Sequence, residues 1–254
     1  MAKATALSPV TAGILASRGL TEPQQVTSFL TPSLAGMLDP FLMAGMEQAV
    51  LRLLAARAAN EHVCIYGDYD VDGISATALL VSGFMAMGLN VGYHIPNRME
   101  DGYGLNGDAL RLIKERGIGL AVSVDCGVTA IEEALLCRSI GLDLIITDHH
   151  QPLDQLPDAV AVINPQRRDC GYPFKGLAGV GVAFNLLVAL RSRLRDQGAL
   201  GHNGPDLRQW LDVVALGTIA DLVPLVEQNR LLTAAGLQRM GEGCRIGLAA
   251  LKQV

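Results

Sequence analysis

The chain has 254 residues, of which 50% are apolar and 18% are charged, so it can bury a large core and is not a disordered protein. Its formal net charge is −5, so bulk charge does not indicate a nucleic-acid-binding protein. No apolar run reaches the ~20 residues that a membrane-spanning helix needs, and no signal-peptide core is visible. We therefore expect a cytoplasmic protein with no membrane contact.

The first 59 residues are predicted to be helical. Thr21 is a candidate N-cap before Pro23, and residues 46–60 have the apolar spacing of an amphipathic helix. This segment carries no candidate chemistry, so we expect it to pack against the region that follows.

From residue 61 onward, strand patterns and helix patterns alternate. The predicted strands are 63–66, 91–95, 120–125, 143–148 and 159–164, and the predicted helices follow Gly73, begin near Asn106, and span about 129–140, 179–195, 207–219 and 230–240. This order predicts an α/β fold, a doubly wound and mostly parallel five-stranded sheet with helical N-terminal and C-terminal segments. We divide the chain into a helical segment 1–59, a central domain 60–228 and a helical segment 229–254.

The first strand leads into an acidic turn. Asp68, Asp70, Asp72 and Gly73 spell D-x-D-x-D-G, which also opens the calcium-binding loop of an EF-hand. The twelfth position of such a loop should be Glu, but here it is Leu79, and a strand stands where an EF-hand has a helix. We therefore expect these carboxylates to serve another ion.

The other predicted strands also end in polar side chains. Strand two is followed by Asn97 and Arg98, strand three by Asp125, and strand four by Asp148, His149 and His150. A single aspartate that follows a strand commonly stabilises a local turn or caps a helix. Because the carboxyl ends of parallel strands meet at one edge, however, so many like charges would repel each other without cations among them.

Mixed carboxylate and imidazole ligands favour manganese, or magnesium with fewer protein ligands, and two such ions are a common means of splitting phosphate esters. Asp221 is a further candidate, since an acid at a helix C-terminus opposes the helix dipole and a metal would compensate it. Zinc is disfavoured because no cysteine has a suitable spacing. We expect His62, His94 and His202 to lie outside the site.

The cysteine number is odd and no C-x-x-C occurs, which favours reduced thiols over disulfides or a zinc site. The five residues are Cys64, Cys126, Cys137, Cys170 and Cys244.

Seven sequence segments resemble, in order, the motifs of the DHH phosphoesterase superfamily: YGDYDVDG, PNRMEDGYGLN, VSVDCG, ITDHHQP with AVINP, LAGVGVAF and ALGTIADLVPL. GYGLN and GTIADLVPL are similar to its RecJ branch, the single-strand-specific 5′→3′ DNA exonucleases. The resemblance implies hydrolysis of single-stranded DNA from the 5′ end, with release of 5′-mononucleotides by a two-metal mechanism.

The resemblance also implies roles for individual residues. Two divalent ions, Mn²⁺ or Mg²⁺, would be bound by Asp70, Asp72, Asp125, His149 and Asp221, with Asp125 bridging them. Asp68 would be a further acidic residue of the catalytic centre, either a metal ligand or a close neighbour of the ligands, and His150 would face the scissile phosphate. Arg98, beside Asn97, would hold a phosphate of the strand, and Asp148 would orient the neighbouring histidine. The glycines of LAGVGVAF suit either close approach of the backbone to this groove or close helix packing.

Two alternatives stay open from the sequence. A DHH phosphodiesterase can act on oligoribonucleotides or small nucleotides, and a scaffold can keep the fold without the chemistry, although none of the expected acidic ligands is missing here. RecJ proteins continue into a second domain that grips DNA, and residues 229–254 resemble the helix that leads to it. We therefore expect weak DNA binding and slow hydrolysis from these 254 residues, and single-strand-binding protein or helicase partners for the full-length protein.

Overall fold

A parallel five-stranded sheet forms the centre of the computed structural model, which describes residues 6–99, 102–201, 204–243 and 245–253. The strands are β1 (His62–Tyr66), β2 (Asn90–His94), β3 (Leu120–Val124), β4 (Asp143–Thr147) and β5 (Ala161–Ile163). Their order across the sheet is β2-β1-β3-β4-β5, and all neighbouring pairs are parallel. The predicted α/β fold is confirmed, with a sheet that is parallel throughout.

The described part of the chain contains ten α-helices. They are α1 (Pro9–Ser17), α2 (Pro23–Leu30), α3 (Met46–Ala58), α4 (Val71–Ala86), α5 (Gly107–Glu115), α6 (Ile131–Ile140), α7 (Gly179–Asp196), α8 (Leu211–Ala220), α9 (Glu227–Glu242) and α10 (Ile246–Leu251). The predicted boundary between residues 228 and 229 falls inside the first turn of α9, and the division into three segments stays a prediction.

Two helix starts differ from the prediction. Glu22, not Thr21, caps α2, since its backbone N–H donates to the side chain of Gln25 in a capping box. Helix α4 begins at Val71 rather than after Gly73, because the carboxylate of Asp70 accepts the N–H of Gly73 and so acts as the N-cap.

Strands β1, β3, β4 and β5 are buried on both faces over most of their length, whereas the edge strand β2 is partly exposed. In β1, Val63 and Ile65 face a core formed with α3, α4 and α7, while Cys64 and Tyr66 face a second core formed with α5 and α6. Alternate residues of a strand point to opposite faces, so continuous burial requires helices on both sides. This explains why the sequences of these four strands are mainly apolar runs rather than alternating patterns.

The strand order reverses direction between β1 and β3. The chain leaves β1, forms β2 on one side, and returns to place β3 on the other side of β1. Open α/β sheets bind ligands at such a switch point, beyond the carboxyl ends of the strands. The acidic turn after β1 and Asp125 after β3 therefore lie on either side of the position where a ligand is expected.

No helix in the described residues is long and apolar enough to cross a membrane. Four cysteines, Cys64, Cys126, Cys137 and Cys170, are buried and free. Cys244 and His202 lie outside the described residues, so the predictions made for them are not addressed by the structure.

Candidate metal centre

The turn after β1 places three aspartates in three different environments. Asp68 is buried directly beyond the strand, Asp70 is exposed at the N-cap of α4, and Asp72 is buried in the first turn of that helix. Leu79, the position where an EF-hand needs Glu, is completely buried in α4 and carries no ligand atom. The local fold is therefore strand, turn and helix, and it does not form a calcium loop.

Asp72 is held by the start of α7. The backbone N–H groups of Gly179 and Val180 donate to its two carboxylate oxygens, at 2.6 and 2.9 Å. The first amides of a helix have no partner within the helix and favour a negative charge. This contact joins residues more than 100 positions apart and fixes the direction in which Asp72 points.

Gly179 also comes very close to Asp125. A Cβ atom at position 179 would lie 2.4 Å from Asp125 Oδ1 and 2.9 Å from Asp125 Cβ. Two roles were considered for the glycines of LAGVGVAF. At Gly179 the observed role is close approach of the backbone to the groove. The backbone there contacts the carboxylates of the centre.

Asp125 occupies an uncommon backbone conformation at the end of β3. Its φ of 61° lies in the left-handed region, which non-glycine residues seldom adopt, although Asp and Asn adopt it more readily than most. Its side chain is buried. Such local strain is often found at functional sites, where the surrounding structure maintains it.

The Asp148-His149-His150 segment is a tight turn organised around Asp148. The buried carboxylate of Asp148 accepts the backbone N–H groups of Val128, His149 and His150 and the Nδ1–H of His150, the last at 2.7 Å. The predicted orienting role of Asp148 therefore has a geometric counterpart, and the histidine that it contacts through the side chain is His150.

The other histidine of this turn, His149, points toward two carboxylates. His149 Nε2 lies 3.2 Å from Asp125 Oδ1 and 3.6 Å from Asp221 Oδ2, and neither contact has hydrogen-bond geometry. Asp221 reaches this position as the C-cap of α8. Three side chains from β3, β4 and α8 thus converge on one point.

Buried atoms without partners identify this point as a place for cations. Among the described residues, Asp68 Oδ1, Asp125 Oδ1, His149 Nε2 and Asp221 Oδ2 are buried and make no hydrogen bond. Leaving such atoms unsatisfied is costly, and buried charges are normally paired or coordinate metals. Oxygen and imidazole donors of this kind fit Mn²⁺ or Mg²⁺.

The possible ligand atoms fall into three overlapping groups in which all atoms lie within 4.8 Å of one another. The groups are Asp68-Asp70-Asp125, Asp125-His149-His150 and Asp72-His149-Asp221. Asp125 and His149 each belong to two groups, so the arrangement has room for more than one ion, with these two residues at the junction. All five predicted metal ligands are brought together, whereas their individual roles stay predictions.

The carboxylates resist ionisation in the absence of cations. Burial, and then the nearby negative charges, raise the pKa of Asp125 to about 9, and burial together with Asp125 raises the pKa of Asp72 to about 8. Burial is also the main cause of the raised pKa of Asp68 and of Asp221. A divalent cation would offset both causes, since it replaces lost solvation and cancels like charge.

The two predicted substrate-binding residues lie beside this cluster. Asn97 and Arg98 follow β2 and are exposed, and the side chain of Asn97 accepts the backbone N–H of Met99. The Arg98 guanidinium lies over the ring of Tyr69, with 5.2 Å between its Cζ atom and the ring centroid. Their proposed contact with a phosphate stays a prediction.

Several contributors to the centre were not identified from the sequence. Asn164 and Gln166, in the loop after β5, donate side-chain N–H groups to the backbone oxygens of His150 and His149. These two hydrogen bonds restrain the backbone of the histidine turn. Asn164 belongs to the segment AVINP and Gln166 follows it, but no role was predicted for either residue.

Comparison with known proteins identifies the family. The family model described as the DHH family, N-terminal domain, matches residues 62–218, which include β1 and most of α8. The chain belongs to the DHH family. The matched range contains the acidic turn, Asp125 and the histidine turn, while Asp221 lies just beyond it.

Several curated relatives are RecJ proteins. The chain is 44% identical over 253 residues to the single-stranded-DNA-specific exonuclease RecJ of Escherichia coli, covering 98% of this chain and 43% of the relative. It is 42% identical over 245 residues to that of Bacillus subtilis, covering 96% and 30%. The chain therefore spans less than half the length of these curated relatives.

Solved structures show the same similarity. A crystal structure of RecJ from Thermus thermophilus in complex with Mn²⁺ matches with a TM-score of 0.78 and 31% identity, covering 99% of this chain and 34% of that one. A crystal structure of exonuclease RecJ bound to manganese matches with a TM-score of 0.74 and 34% identity, covering 85% and 53%.

Metal binding by this centre should release protons and strengthen with pH. At pH 7 Asp72 and Asp125, with pKa values of about 8 and about 9, are protonated in the ion-free protein, and a metal ligand must be deprotonated. We expect titration with Mn²⁺ to release about one to two protons at pH 7 and fewer at pH 9, with affinity rising between these values. Calorimetry in two buffers of different ionisation enthalpy measures the release. A pH-independent affinity would contradict the raised pKa values.

Proposed function

We propose that the chain is the metal-binding half of a RecJ-type exonuclease, which hydrolyses single-stranded DNA from the 5′ end and releases 5′-mononucleotides. The observation that supports this most directly is the convergence of buried, unpartnered atoms of Asp68, Asp125, His149 and Asp221 at the switch point of a DHH-family sheet. The similarity to RecJ over nearly the whole chain supports single-stranded DNA as the substrate class.

The proposed cofactors are two divalent ions, Mn²⁺ or Mg²⁺. They would be held by Asp70, Asp72, Asp125, His149 and Asp221, with Asp125 between them and Asp68 as a further acid of the centre. When bound, such a pair supplies charge neutralisation at the phosphate and activates water for attack. The bonds from Gly179 and Val180 to Asp72, and the strained backbone at Asp125, fix these two carboxylates in advance.

His150 is proposed to contact the scissile phosphate through Nε2. Its Nδ1 is occupied by Asp148, so Nε2 is the nitrogen left to face a substrate, and the ring is half-exposed. The hydrogen bond to Asp148 is the main cause of its raised pKa, which favours the imidazolium form near neutral pH. A positive imidazole that donates a hydrogen bond can stabilise the charge that develops on a phosphate oxygen. Arg98, with Asn97, is proposed to hold a neighbouring phosphate.

The direct test is hydrolysis of 5′-³²P-labelled single-stranded DNA with and without Mn²⁺. We expect labelled mononucleotide as the first product, slow turnover, and no cleavage without a divalent ion. The same oligonucleotide as a blunt duplex and as RNA serves as the comparison. Preference for RNA would favour an oligoribonucleotide phosphodiesterase, and release of the label in longer fragments would contradict exonuclease action from the 5′ end.

We place the activity in the cytoplasm, in keeping with the free cysteines.

The two histidines should respond differently to substitution. His149→Ala removes a ligand atom between Asp125 and Asp221, so we expect Mn²⁺ affinity to fall by ~10-fold or more. His150→Ala should keep most of the affinity and lose turnover. Calorimetric titration and single-turnover cleavage separate the two effects. An equal loss of Mn²⁺ binding in both variants would show that the division of roles is wrong.

A further inference from the structure

Two tyrosines form a continuous line of ring contacts between Arg98 and His150. The Tyr69 ring lies under the Arg98 guanidinium, 5.2 Å from Cζ to centroid, and its centroid is 6.4 Å from that of Tyr103. The Tyr103 centroid is in turn 6.0 Å from that of His150. We call Tyr69 and Tyr103 the aromatic bridge. The sequence did not reveal it, because its members come from separate segments and no basic–aromatic run marks them.

The bridge has the geometry of real ring interactions. The ring planes of Tyr69 and Tyr103 meet at 75°, and those of Tyr103 and His150 at 79°. Edge-to-face pairs with centroids 4.5–7 Å apart are favourable arrangements, as is a guanidinium within about 6 Å of a ring centroid. All three contacts meet these distances, although Tyr103 and Arg98 are exposed to solvent.

The backbone next to Tyr103 is held by hydrogen bonds to Tyr66. The hydroxyl of the buried Tyr66, at the end of β1, donates to the backbone oxygen of Gly104 at 3.3 Å and accepts the backbone N–H of Asn106 at 3.1 Å. This places the residue after Tyr103 against the sheet. Tyr103 therefore has an anchored backbone beside an exposed ring, which suits a residue that positions its neighbours.

The contact between Tyr103 and His150 depends on the ring rather than on the hydroxyl. The Tyr103 hydroxyl lies 3.4 Å from His150 Nδ1, which is long, whereas Asp148 Oδ1 lies 2.7 Å from the same nitrogen. Nδ1 carries one proton, and the Asp148 carboxylate receives it. Because this N–H is directed at Asp148, the hydroxyl of Tyr103 can share it only weakly at 3.4 Å, and the edge-to-face ring contact is the stronger of the two interactions with Tyr103.

We propose that the aromatic bridge is a positioning device that holds Arg98 and His150 at a fixed spacing, so that the two cations contact the substrate phosphates together. The proposal rests on the proposed function, which assigns both cations to phosphates. Arg98 is an exposed, flexible side chain, and packing on Tyr69 reduces the freedom that it loses on binding DNA. Tyr103 restrains the His150 ring through the edge-to-face contact, and Asp148 restrains it through the hydrogen bond to Nδ1.

The kinetic test is a pair of double-mutant cycles, measured with 5′-phosphorylated single-stranded DNA and Mn²⁺. Tyr69→Ala should raise KM by about 3- to 10-fold with little change in kcat, and should add nothing to Arg98→Ala. Tyr103→Ala should lower kcat by about 3- to 10-fold, and should add nothing to His150→Ala. Tyr69→Phe and Tyr103→Phe keep the rings and should stay within about 2-fold of the wild type. Effects that multiply in either cycle would overturn the proposal, because the tyrosines would then act independently of the cations.

A second measurement needs no activity. In the ion-free protein, the side-chain NMR signals of His150 should move in Tyr103→Ala, because the ring beside it is lost, and should stay close to the wild type in Tyr103→Phe. Unchanged signals in Tyr103→Ala would overturn the bridge itself. If these signals move as expected while Arg98→Ala and His150→Ala leave hydrolysis unchanged, the bridge stands and the proposed roles of the cations fail. Mn²⁺ affinity should be the same in all the tyrosine variants, which excludes damage to the metal centre.

Discussion

Replacing Asp125 with Asn is expected to abolish the paired binding of Mn²⁺ and to lower hydrolysis by ~10³-fold or more, since a metal pair supplies several kcal/mol of transition-state stabilisation. Among the described residues, Asp125 alone shares a ligand group with Asp68 and Asp70 and also with both histidines. It lies 3.2 Å from His149 Nε2. Asn is the suitable replacement because it tolerates the left-handed backbone at this position, whereas Ala would add strain.

The same substitution should make the ion-free protein more stable at alkaline pH. The pKa of Asp125 is raised to about 9, chiefly by burial, from an ordinary value of about 3.9 in the unfolded chain. Between these pH values the folded state holds a proton that the unfolded state has lost. The free energy of unfolding therefore falls, through this group, as pH rises from about 4 toward 9. Asn cannot ionise and avoids that loss.

Thermal unfolding with EDTA and with Mn²⁺, at pH 6 and pH 9, measures both effects. The melting temperature of Asp125→Asn should exceed that of the wild type at pH 9 with EDTA, with a smaller difference at pH 6. With Mn²⁺ the order should reverse. Asp196→Asn, an exposed aspartate at the end of α7, is the matched control and should follow the wild type throughout. If Asp125→Asn still bound two ions, Asp125 would not be the residue that joins the two positions.

The location of the centre could be predicted from the sequence because it follows from topology. Once strands and helices alternate, the strands are parallel and their carboxyl ends share an edge, so Asp68, Asp125 and His149 must be neighbours. Side-chain detail is not needed for that conclusion. Helix boundaries were less secure, since the start of α4 depends on a single bond from Gly73 to Asp70.

The supporting contacts could not be predicted in the same way. The bonds from Gly179 and Val180 to Asp72 depend on where the N-terminus of α7 meets α4, and that is a result of packing in the core. The aromatic bridge likewise depends on the path of the loop after β2. Sequence periodicity shows which face of a helix is buried, but not which backbone amide reaches a given carboxylate.

Gly179→Ala is expected to weaken Mn²⁺ binding by at least ~10-fold, the scale on which changes to the support of metal ligands act. The added methyl group would lie 2.4 Å from Asp125 Oδ1, closer than two such atoms can approach, so Asp125 or the start of α7 must move. Either movement disturbs the centre. A shift of the helix start weakens the bonds to Asp72, and a shift of Asp125 changes its distance from His149.

Gly181→Ala is the matched control, two residues further along the same helix. Its Cβ would lie 3.2 Å from Cδ2 of Leu177, the end of a flexible side chain that can give way. Overpacking at position 179 should also destabilise the fold by about 1–3 kcal/mol, so each titration is made at a temperature where circular dichroism shows the variant to be folded. The decisive comparison is calorimetric titration of both variants with Mn²⁺. Wild-type Mn²⁺ affinity in folded Gly179→Ala would mean that Asp72 and Asp125 do not need the start of α7 to bind metal. A loss of Mn²⁺ affinity in Gly179→Ala but not in Gly181→Ala would show that Gly179 supports the centre although it offers no ligand atom.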